Sequence, residues 1–267
     1  MTLHRFYISP DRWDPENLTL DETETRHASE VLRLREGEKV SVFDGRGHEI
    51  HALIAELSKR SCRLQAESHH HAPPPAAPLL LAQAIPKGKN MDLVLQKATE
   101  LGATGIFPLL TERTVVRLDA AEAADKQEKW QRIVIEACKQ CGQNLLPTVH
   151  APQTLAQFLT NLPEAGLRLI AALTPEARPL HRLLETLPAD AEANASTQAD
   201  AEAATAEKST PGAVILIGPE GDFTPAELSA AALMDFLPLS LGSIILRTET
   251  AAMAALTITG YELSRNR

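Results

Sequence analysis

The sequence predicts an α/β protein: a parallel sheet with helices on both faces, preceded by a smaller β-rich domain. From residue 79 onward, apolar runs typical of buried strands alternate with helical patterns, which is the order found in parallel sheets. Residues 39–54 instead show two alternating segments around a glycine-containing turn, as in a β-hairpin. A proline-rich stretch, 69–78, separates these two patterns and is predicted to be an extended linker.

The smaller domain is assigned to residues 1–72 and the larger one to residues 73–267. In the first, segments 39–43 and 49–54 are the predicted strands, and residues 44–47 (DGRG) form the turn between them. Three histidines, 69–71, begin the linker. They could bind a metal weakly, but they have no acidic partners nearby, so we interpret them as a solvated tract and predict no metal site.

The larger domain is predicted to alternate strands and helices throughout. Residues 91, 94, 95, 98 and 101 are apolar and define one face of a helix. The predicted strands are 79–85, 106–110, 167–173, 213–217 and 236–241. The predicted helices are 91–101, 121–141, 179–187, 225–234 and 248–264. Residues 189–210 are alanine-rich and carry no large apolar side chain, so we predict a solvated surface insertion there.

Composition limits the class of protein. The 267 residues are 44% hydrophobic and 23% charged, as in ordinary globular proteins. Three scattered cysteines argue against a disulfide framework and favour the cytoplasm; the pair Cys138 and Cys141 is interpreted as structural. No apolar run is long enough to predict a membrane span. The net charge of −9 counts against a uniformly basic nucleic-acid binder, although basic side chains could still cluster on one face.

Two glycine-containing segments near the C-terminus carry the strongest functional signal. They are 217–223 (IGPEGDF) and 241–251 (LGSIILRTETA), and each links a predicted strand to a predicted helix. Glycine lets a ligand approach the backbone, and a helix N-terminus offers free N–H donors. Neither segment is a nucleoside-triphosphate loop or a dinucleotide fingerprint. Each could be only a structural turn, but the pair predicts one ligand held at strand ends.

These two segments, at this spacing, resemble the RsmE family of the SPOUT methyltransferase superfamily. The resemblance extends over nearly the whole chain. Further matching segments are 87–92 (KGKNMD), 96–102 (QKATELG), 111–113 (TER), 136–138 (EAC), 5–6 (RF), 26–27 (RH), 31–33 (VLR) and 43–45 (FDG). The resemblance implies an N-terminal PUA-like β-barrel and a SPOUT domain with a C-terminal trefoil knot. It also implies a homodimer.

The resemblance implies an enzyme that uses S-adenosyl-L-methionine to methylate N3 of a uridine in 16S ribosomal RNA of the small ribosomal subunit. Arg247 is the candidate catalytic cation and Glu249 a candidate base; a purely structural Arg247, paired with Glu249 or Glu220, is the alternative. The cofactor-binding residues implied are Leu173, Ile217, Gly218, Pro219, Glu220, Gly221, Leu241, Gly242, Ser243, Ile245, Leu246 and Arg247. Rival functions are a non-catalytic RNA-binding module on this fold and a SPOUT methyltransferase acting on another RNA or on free nucleotides.

Basic residues at the matching positions are the candidate RNA contacts. They are Arg5, Arg26, His27 and Arg33 in the first domain, and Lys87, Lys89, Lys97 and Arg113 in the second. Two positions depart from the family pattern. Asp222 stands where the family commonly has a further glycine, and we expect the turn to survive because aspartate caps helix starts well. Gln143 stands where the family often has arginine, which removes a cation from that position.

Overall fold

The structure of the protein is a computed structural model, which describes residues 3–185 and 212–265. The predicted insertion at 189–210 lies outside the described residues. Within the described ranges, no helix combines the length and the apolar character needed to cross a membrane.

The N-terminal part of the chain forms a five-stranded sheet. Its elements are β1 (His4–Tyr7), β2 (Thr19–Leu20), helix α1 (Glu22–Arg26) with its π-helical continuation His27–Val31, β3 (Lys39–Phe43), β4 (His48–Leu57) and β5 (Cys62–His71). The strand order is β1-β3-β4-β5-β2. All five strands contribute side chains to one core, and the inward positions of β4 are Ile50, Ala52 and Ile54. The predicted hairpin is confirmed as the antiparallel pair of β3 and β4.

The predicted linker begins too early, because the three histidines at 69–71 belong to a strand. They form the last residues of β5, where His71 pairs with His48 and His69 pairs with Ile50 of β4. A ladder partner outweighs the polar character of the tract, because strand β4 extends far enough to pair with it. The proline-rich segment therefore begins only after His71.

The remaining described chain alternates strands and helices. Its elements are β6 (Leu79–Ala84), α2 (Asn90–Glu100), β7 (Gly105–Leu110), α3 (Ala120–Cys141), β8 (Thr148–Val149), β9 (Gln153–Thr154), α4 (Leu155–Thr160), β10 (Leu167–Ala171), α5 (Leu180–Glu185), β11 (Ala213–Ile217), α6 (Pro225–Ala232), β12 (Leu237–Leu239) and α7 (Thr248–Arg265). The strands pair in the order β12-β10-β11-β6-β7-β8, with β9 also paired to β7, and every pairing is parallel. The predicted parallel α/β fold is confirmed.

Two apolar cores lie on opposite faces of this sheet. On β11, Ala213, Ile215 and Ile217 face a core shared with α2, α3 and α7. Val214 and Leu216 face the other core, which includes side chains from α4 and α6. A strand that is buried on both faces reads as a continuous apolar run, which explains why the sequence located β11 to the residue.

Helix α7 packs across the centre of the sheet, against β6, β11 and α2. Its small residues Ala252 and Ala255 are fully buried inside the chain. They allow the close approach of α7 to its own sheet.

Candidate active site

The candidate site lies beyond the carboxyl ends of four neighbouring strands. One residue from each strand pairs in register across the sheet, in the row Leu239, Ala171, Ile217 and Gln83. A cavity of about 820 Å³ opens beyond this row. Small-molecule sites are typically about 300–1,000 Å³, and they form at this edge of open α/β sheets.

The two glycine turns meet in this cavity. Of the residues implied to bind a cofactor, those that line it are Leu173, Ile217, Gly218, Pro219, Glu220, Leu241, Gly242, Ile245, Leu246 and Arg247. Glu249 lines it as well, whereas Gly221 and Ser243 do not. Sequence reasoning missed Asn90, Thr174, Asp222, Ile244 and Thr248, which also line the cavity. Only their position in the sequence could have identified them, because each lies within a few residues of a strand end or a matched segment.

Asp222 gives the first turn its shape. Its backbone has φ of 60°, the left-handed conformation that glycine adopts without strain and aspartate tolerates. Its amide donates to the carbonyl of Pro219 at 2.9 Å, so the turn expected from the sequence is present. The expected capping role is wrong: helix α6 is capped by Thr224, which forms a capping box with Glu227.

The Asp222 carboxylate instead connects two strand ends. One oxygen accepts from the amide of Phe223 at 2.8 Å, and the other accepts from the amide of Leu173 at 3.2 Å. Leu173 follows β10, so this carboxylate joins the loop after β10 to the turn after β11. The departure from glycine therefore adds an anchor to the cavity wall.

Two further contacts hold the first turn to neighbouring loops. The amide of Lys87, in the loop before α2, donates to the Glu220 carboxylate at 2.9 Å. The guanidinium of Arg113, after β7, donates to the carbonyl of Gly221 at 2.6 Å and to that of Phe223 at 3.3 Å. A Cβ atom at Gly221 would lie 3.3 Å from the Arg113 side chain, so a larger residue there would force that side chain to shift.

The second turn is more open. Gly242 has φ of 118°, and a Cβ atom built there would meet no other atom within 4 Å. Just beyond it, the apolar side chains of Ile244 and Ile245 are about three-quarters exposed at the rim of the cavity. Exposed apolar side chains beside a cavity are typical of a surface that a ligand covers.

A threonine hydroxyl connects the two turns. Thr248, the first residue of α7, donates from Oγ1 to the carbonyl of Gly218 at 2.6 Å. The same oxygen accepts from Nε2 of Gln83 at 2.9 Å. Arg247 immediately precedes this threonine and is exposed at the cavity. Within the described residues, its guanidinium forms no hydrogen bond or ion pair, so neither pairing of the structural alternative is present.

The candidate RNA contacts separate into two groups. Lys87 and Lys89 are exposed on the loop that leads into α2, next to the cavity-lining Asn90. Arg26 and Arg33 are exposed on the N-terminal sheet domain. Lys97, by contrast, pairs with Glu100 at 2.7 Å two turns along α2, and Arg113 is engaged with the first glycine turn.

Arg5 was predicted to contact RNA, but its side chain lies inside the protein. Its side chain is only 11% exposed and pairs with Glu49 at 3.0 Å. It also donates to Oδ1 of Asn144 at 2.6 Å and to the carbonyl of Gln143 at 3.3 Å. Both partners belong to the larger domain, so these hydrogen bonds connect the two domains. These partners engage both terminal nitrogens of the guanidinium inside the protein, so Arg5 is an interdomain residue.

His27 is also drawn toward the interdomain contact. Its Nδ1 lies 3.5 Å from the ammonium of Lys139, which is itself buried and paired with Glu24 at 2.9 Å. Burial, followed by the nearby Lys139 charge, lowers the pKa of His27. A neutral ring with part of its surface covered is a weaker phosphate partner than a free histidine.

The chain is similar to known RNA methyltransferases in both sequence and structure. The RNA methyltransferase domain family matches residues 73–260, and the RNA methyltransferase PUA domain family matches residues 20–67. The ribosomal RNA small subunit methyltransferase E of Synechocystis sp. is 33% identical over 95% of this chain and 76% of its own length. The protein of the same name from Bacillus subtilis is 29% identical over 90% of this chain and 88% of its own.

Solved structures agree. A Legionella pneumophila protein, solved in complex with the bound cofactor SAM, has a TM-score of 0.82 at 32% identity, with 98% of each chain covered. The ribosomal RNA small subunit methyltransferase E of Neisseria gonorrhoeae, bound to S-adenosyl methionine, has a TM-score of 0.80 at 30% identity, again with 98% of each chain covered.

The fold and the matched domains define an RNA methyltransferase: a PUA domain followed by a methyltransferase domain whose cavity lies between two glycine turns. Within that class, the chain belongs to the ribosomal RNA small subunit methyltransferase E family. The resemblance stated from the sequence is confirmed.

Proposed function

We propose that the protein transfers a methyl group from S-adenosyl-L-methionine to N3 of a uridine in 16S ribosomal RNA. The observation that carries this proposal is the cavity between the two glycine turns, with the guanidinium of Arg247 at its edge and without a partner among the described residues. A relative matched over 76% of its length and a similar structure covered over 98% of its chain are both named for small-subunit ribosomal RNA methylation, and two similar structures hold S-adenosyl methionine.

The residues around the cavity fit this cofactor. The open backbone at Gly242 leaves room for a ligand to lie directly against the second turn. Leu173, which is 66% exposed, and Ile245 offer apolar surface that an adenine ring would cover. Glu220 and the backbone groups of both turns offer acceptors and donors for ribose hydroxyls. The bound cofactor supplies the electrophilic methyl group, and the protein supplies position and electrostatics.

The reaction requires an anionic nucleophile, because uridine N3–H is a weak acid whose nitrogen lone pair is freed only when the proton leaves. Arg247 can stabilise the negative charge that spreads over the uracil imide as this proton departs. Glu249 lines the same cavity and is the candidate acceptor of the proton. The base must leave its stack to reach the cavity, which favours a loop or single-stranded segment of RNA as the target.

The RNA surface is proposed to combine both domains. Lys87 and Lys89 lie next to the cavity, where they would contact the phosphates flanking the reacting uridine, and Arg26 and Arg33 would hold a more distant part of the RNA. These exposed cations allow an acidic protein to bind RNA, because phosphate contacts depend on local charge.

Several finer features of the family fold belong to the same proposal. We assign residues 1–72 to the PUA-like barrel and residues 73–267 to the SPOUT domain with a trefoil knot. The knot rests on the resemblance to the family. We also propose a C2 homodimer located in the cytoplasm, and sedimentation at micromolar concentration tests the dimer.

The rival function is a non-catalytic RNA-binding module. The cavity between the two glycine turns argues for chemistry, because a module that only binds RNA has no use for a cofactor site. Mass spectrometry of ribosomal RNA nucleosides from a deletion strain tests the proposal: loss of 3-methyluridine from 16S RNA, restored by the parent gene and not by an Arg247→Ala gene, is expected. Unchanged 3-methyluridine in the deletion strain would overturn it.

A further inference from the structure

Gln83 is a buried polar residue that the reaction described above does not use. It lies near the end of the central strand β6 and is fully buried. Its Nε2 donates to the carbonyl of Ala84 at 2.8 Å and to the hydroxyl of Thr248 at 2.9 Å. Its Oε1 is buried and has no hydrogen-bond partner among the described residues.

Stability alone does not account for a glutamine at this position. A buried carbonyl oxygen without a donor costs free energy, whereas an apolar side chain of similar length would carry no such cost. The neighbouring positions of β6 are apolar and equally buried, for example Leu81 and Ala82. The glutamine therefore places an unfavourable group in the core, and its benefit must lie in the hydrogen bonds of its amide, of which the one to Thr248 reaches a cavity-lining residue.

That contact sets the direction of a chain of hydrogen bonds. The hydroxyl of Thr248 has a single proton, and the 2.6 Å bond to the carbonyl of Gly218 uses it. The hydroxyl must accept its other hydrogen bond, and the Gln83 amide is the donor that provides it. The amide thereby holds the threonine in the orientation that reaches Gly218.

This series of hydrogen bonds joins the two glycine turns to the sheet beneath them. Gly218 begins the first glycine turn, Thr248 follows Arg247 at the end of the second turn, and Gln83 belongs to the sheet beneath both. Gln83 is not among the described residues that line the cavity. Its amide acts only through Thr248, on the spacing of the two turns.

We propose that Gln83 is a positioning residue for methyl transfer, which acts through the Thr248 hydroxyl to hold the two glycine turns at the spacing that binds the cofactor. This inference rests on the proposed function of the cavity. Without the amide, the turns can separate, and binding must then restore their spacing at the expense of affinity.

The test measures S-adenosyl-L-methionine affinity by calorimetry and melting temperature on the same purified variants. Gln83→Met and Thr248→Val remove the two ends of the amide–hydroxyl contact, and Thr248→Ser keeps the hydroxyl. We expect Gln83→Met to melt at or above the parent temperature yet bind the cofactor roughly 10-fold more weakly, as loss of one net hydrogen bond allows. Thr248→Val should weaken binding similarly, and Thr248→Ser should stay within about twofold of the parent.

Thr259→Val is the matched control. Thr259 lies on the same helix, is fully buried, and has a hydroxyl without a partner among the described residues. This variant should keep parental affinity. The double variant Gln83→Met/Thr248→Val should be no weaker than either single variant, because the two residues act as one unit.

The outcomes separate this inference from the proposed function. If the parent does not bind S-adenosyl-L-methionine, the proposed function fails first. If the parent binds and Gln83→Met binds equally well, the positioning role is overturned. A lower melting temperature that accompanies the weaker binding in Gln83→Met, or additive losses in the double variant, would also overturn it, because each would mark a purely structural residue.

Discussion

The guanidinium of Arg113 donates to the carbonyl of Gly221 at 2.6 Å and so fastens the first glycine turn to the loop after β7. Arg113 is 108 residues before Gly221 in the chain, and the turn that it holds forms one wall of the cavity. A side chain that the sequence marked as an RNA contact therefore has a structural partner inside the site. This relationship makes cofactor affinity, rather than RNA affinity, the property most sensitive to its removal.

Arg113→Met should weaken S-adenosyl-L-methionine binding by roughly 10-fold, because the turn loses a charge-assisted hydrogen bond. Arg117→Met is the matched control, since the only hydrogen bond of the Arg117 side chain within the described part of the chain is to the nearby carbonyl of Thr114, at 3.1 Å. Calorimetry on both variants decides the matter. Parental cofactor affinity in Arg113→Met, together with a salt dependence of RNA binding reduced by about one phosphate contact, would instead restore the RNA role.

Arg247→Ala should lower the single-turnover rate of methyl transfer by about 10²–10³-fold, as expected when one preorganised donor to a developing charge is lost. Cofactor affinity should change much less, because the interaction forms in the transition state. Arg247→Lys should recover only part of the rate, since an ammonium cannot reproduce the planar fork. An Arg247→Ala protein that loses cofactor binding and melts early would contradict the catalytic role.

The buried ion pair of Lys139 and Glu24 connects helix α3 to helix α1, with both side chains less than 10% exposed. Lys139→Met should destabilise the protein by about 3–5 kcal/mol at neutral pH, because it leaves a buried carboxylate without its cation. Lys129→Met is the control, because the exposed pair of Lys129 and Asp92 should contribute no more than about 1 kcal/mol. Urea unfolding measures both.

The same pair predicts a pH dependence. Burial raises the pKa of Glu24, and the nearby Lys139 partly opposes this rise. In Lys139→Met the folded-state pKa should lie still further above the unfolded value, so the folded state takes up a proton first as the pH falls. The stability deficit relative to the parent should therefore shrink as the pH falls from 7 toward the ordinary glutamate value of about 4.3. A deficit that widens over this range would contradict the assignment.

The three cysteines should differ in reactivity. Burial raises the pKa of Cys62 to about 11 and that of Cys138 to about 12, whereas Cys141 is exposed at the end of α3. A thiol reagent at pH 8 should modify Cys141 rapidly and the other two only on unfolding. Rapid modification of Cys138 in the native protein would show that the buried side of α3 opens readily, and rapid modification of Cys62 would show the same of the N-terminal core.

The sequence predicted those elements whose environment is set by local pattern. Strand β11 is buried on both faces and helix α3 is long and amphipathic, so apolar periodicity located both closely. Short strands such as β2, β8 and β9 were not predicted, because two residues are too few to show a periodic pattern of apolar side chains. Strand β5 was not predicted at all, and its last three residues were assigned to the linker, because these histidines gain strand structure from pairing with β4, a long-range contact.

The sequence predicted those parts of the site that depend on glycine positions and on the order of strands. The two turns and the cavity they share follow from local signals at Gly218 and Gly242. The partners of charged residues do not: Arg5 finds Asn144 at a separation of 139 residues, and Arg113 finds Gly221 at 108. Such pairs depend on how the two sheets and their loops pack, which no window of sequence contains.

The central claim is that this cavity presents a cofactor methyl group to N3 of a uridine in 16S ribosomal RNA. The most direct measurement incubates the purified protein with S-adenosyl-L-methionine labelled in its methyl group and with small ribosomal subunits or naked 16S RNA from a deletion strain. The RNA is then digested to nucleosides. We predict label in 3-methyluridine alone, and none with Arg247→Ala at matched times. Label in another nucleoside, or cofactor binding without any transfer to either RNA substrate, would contradict it.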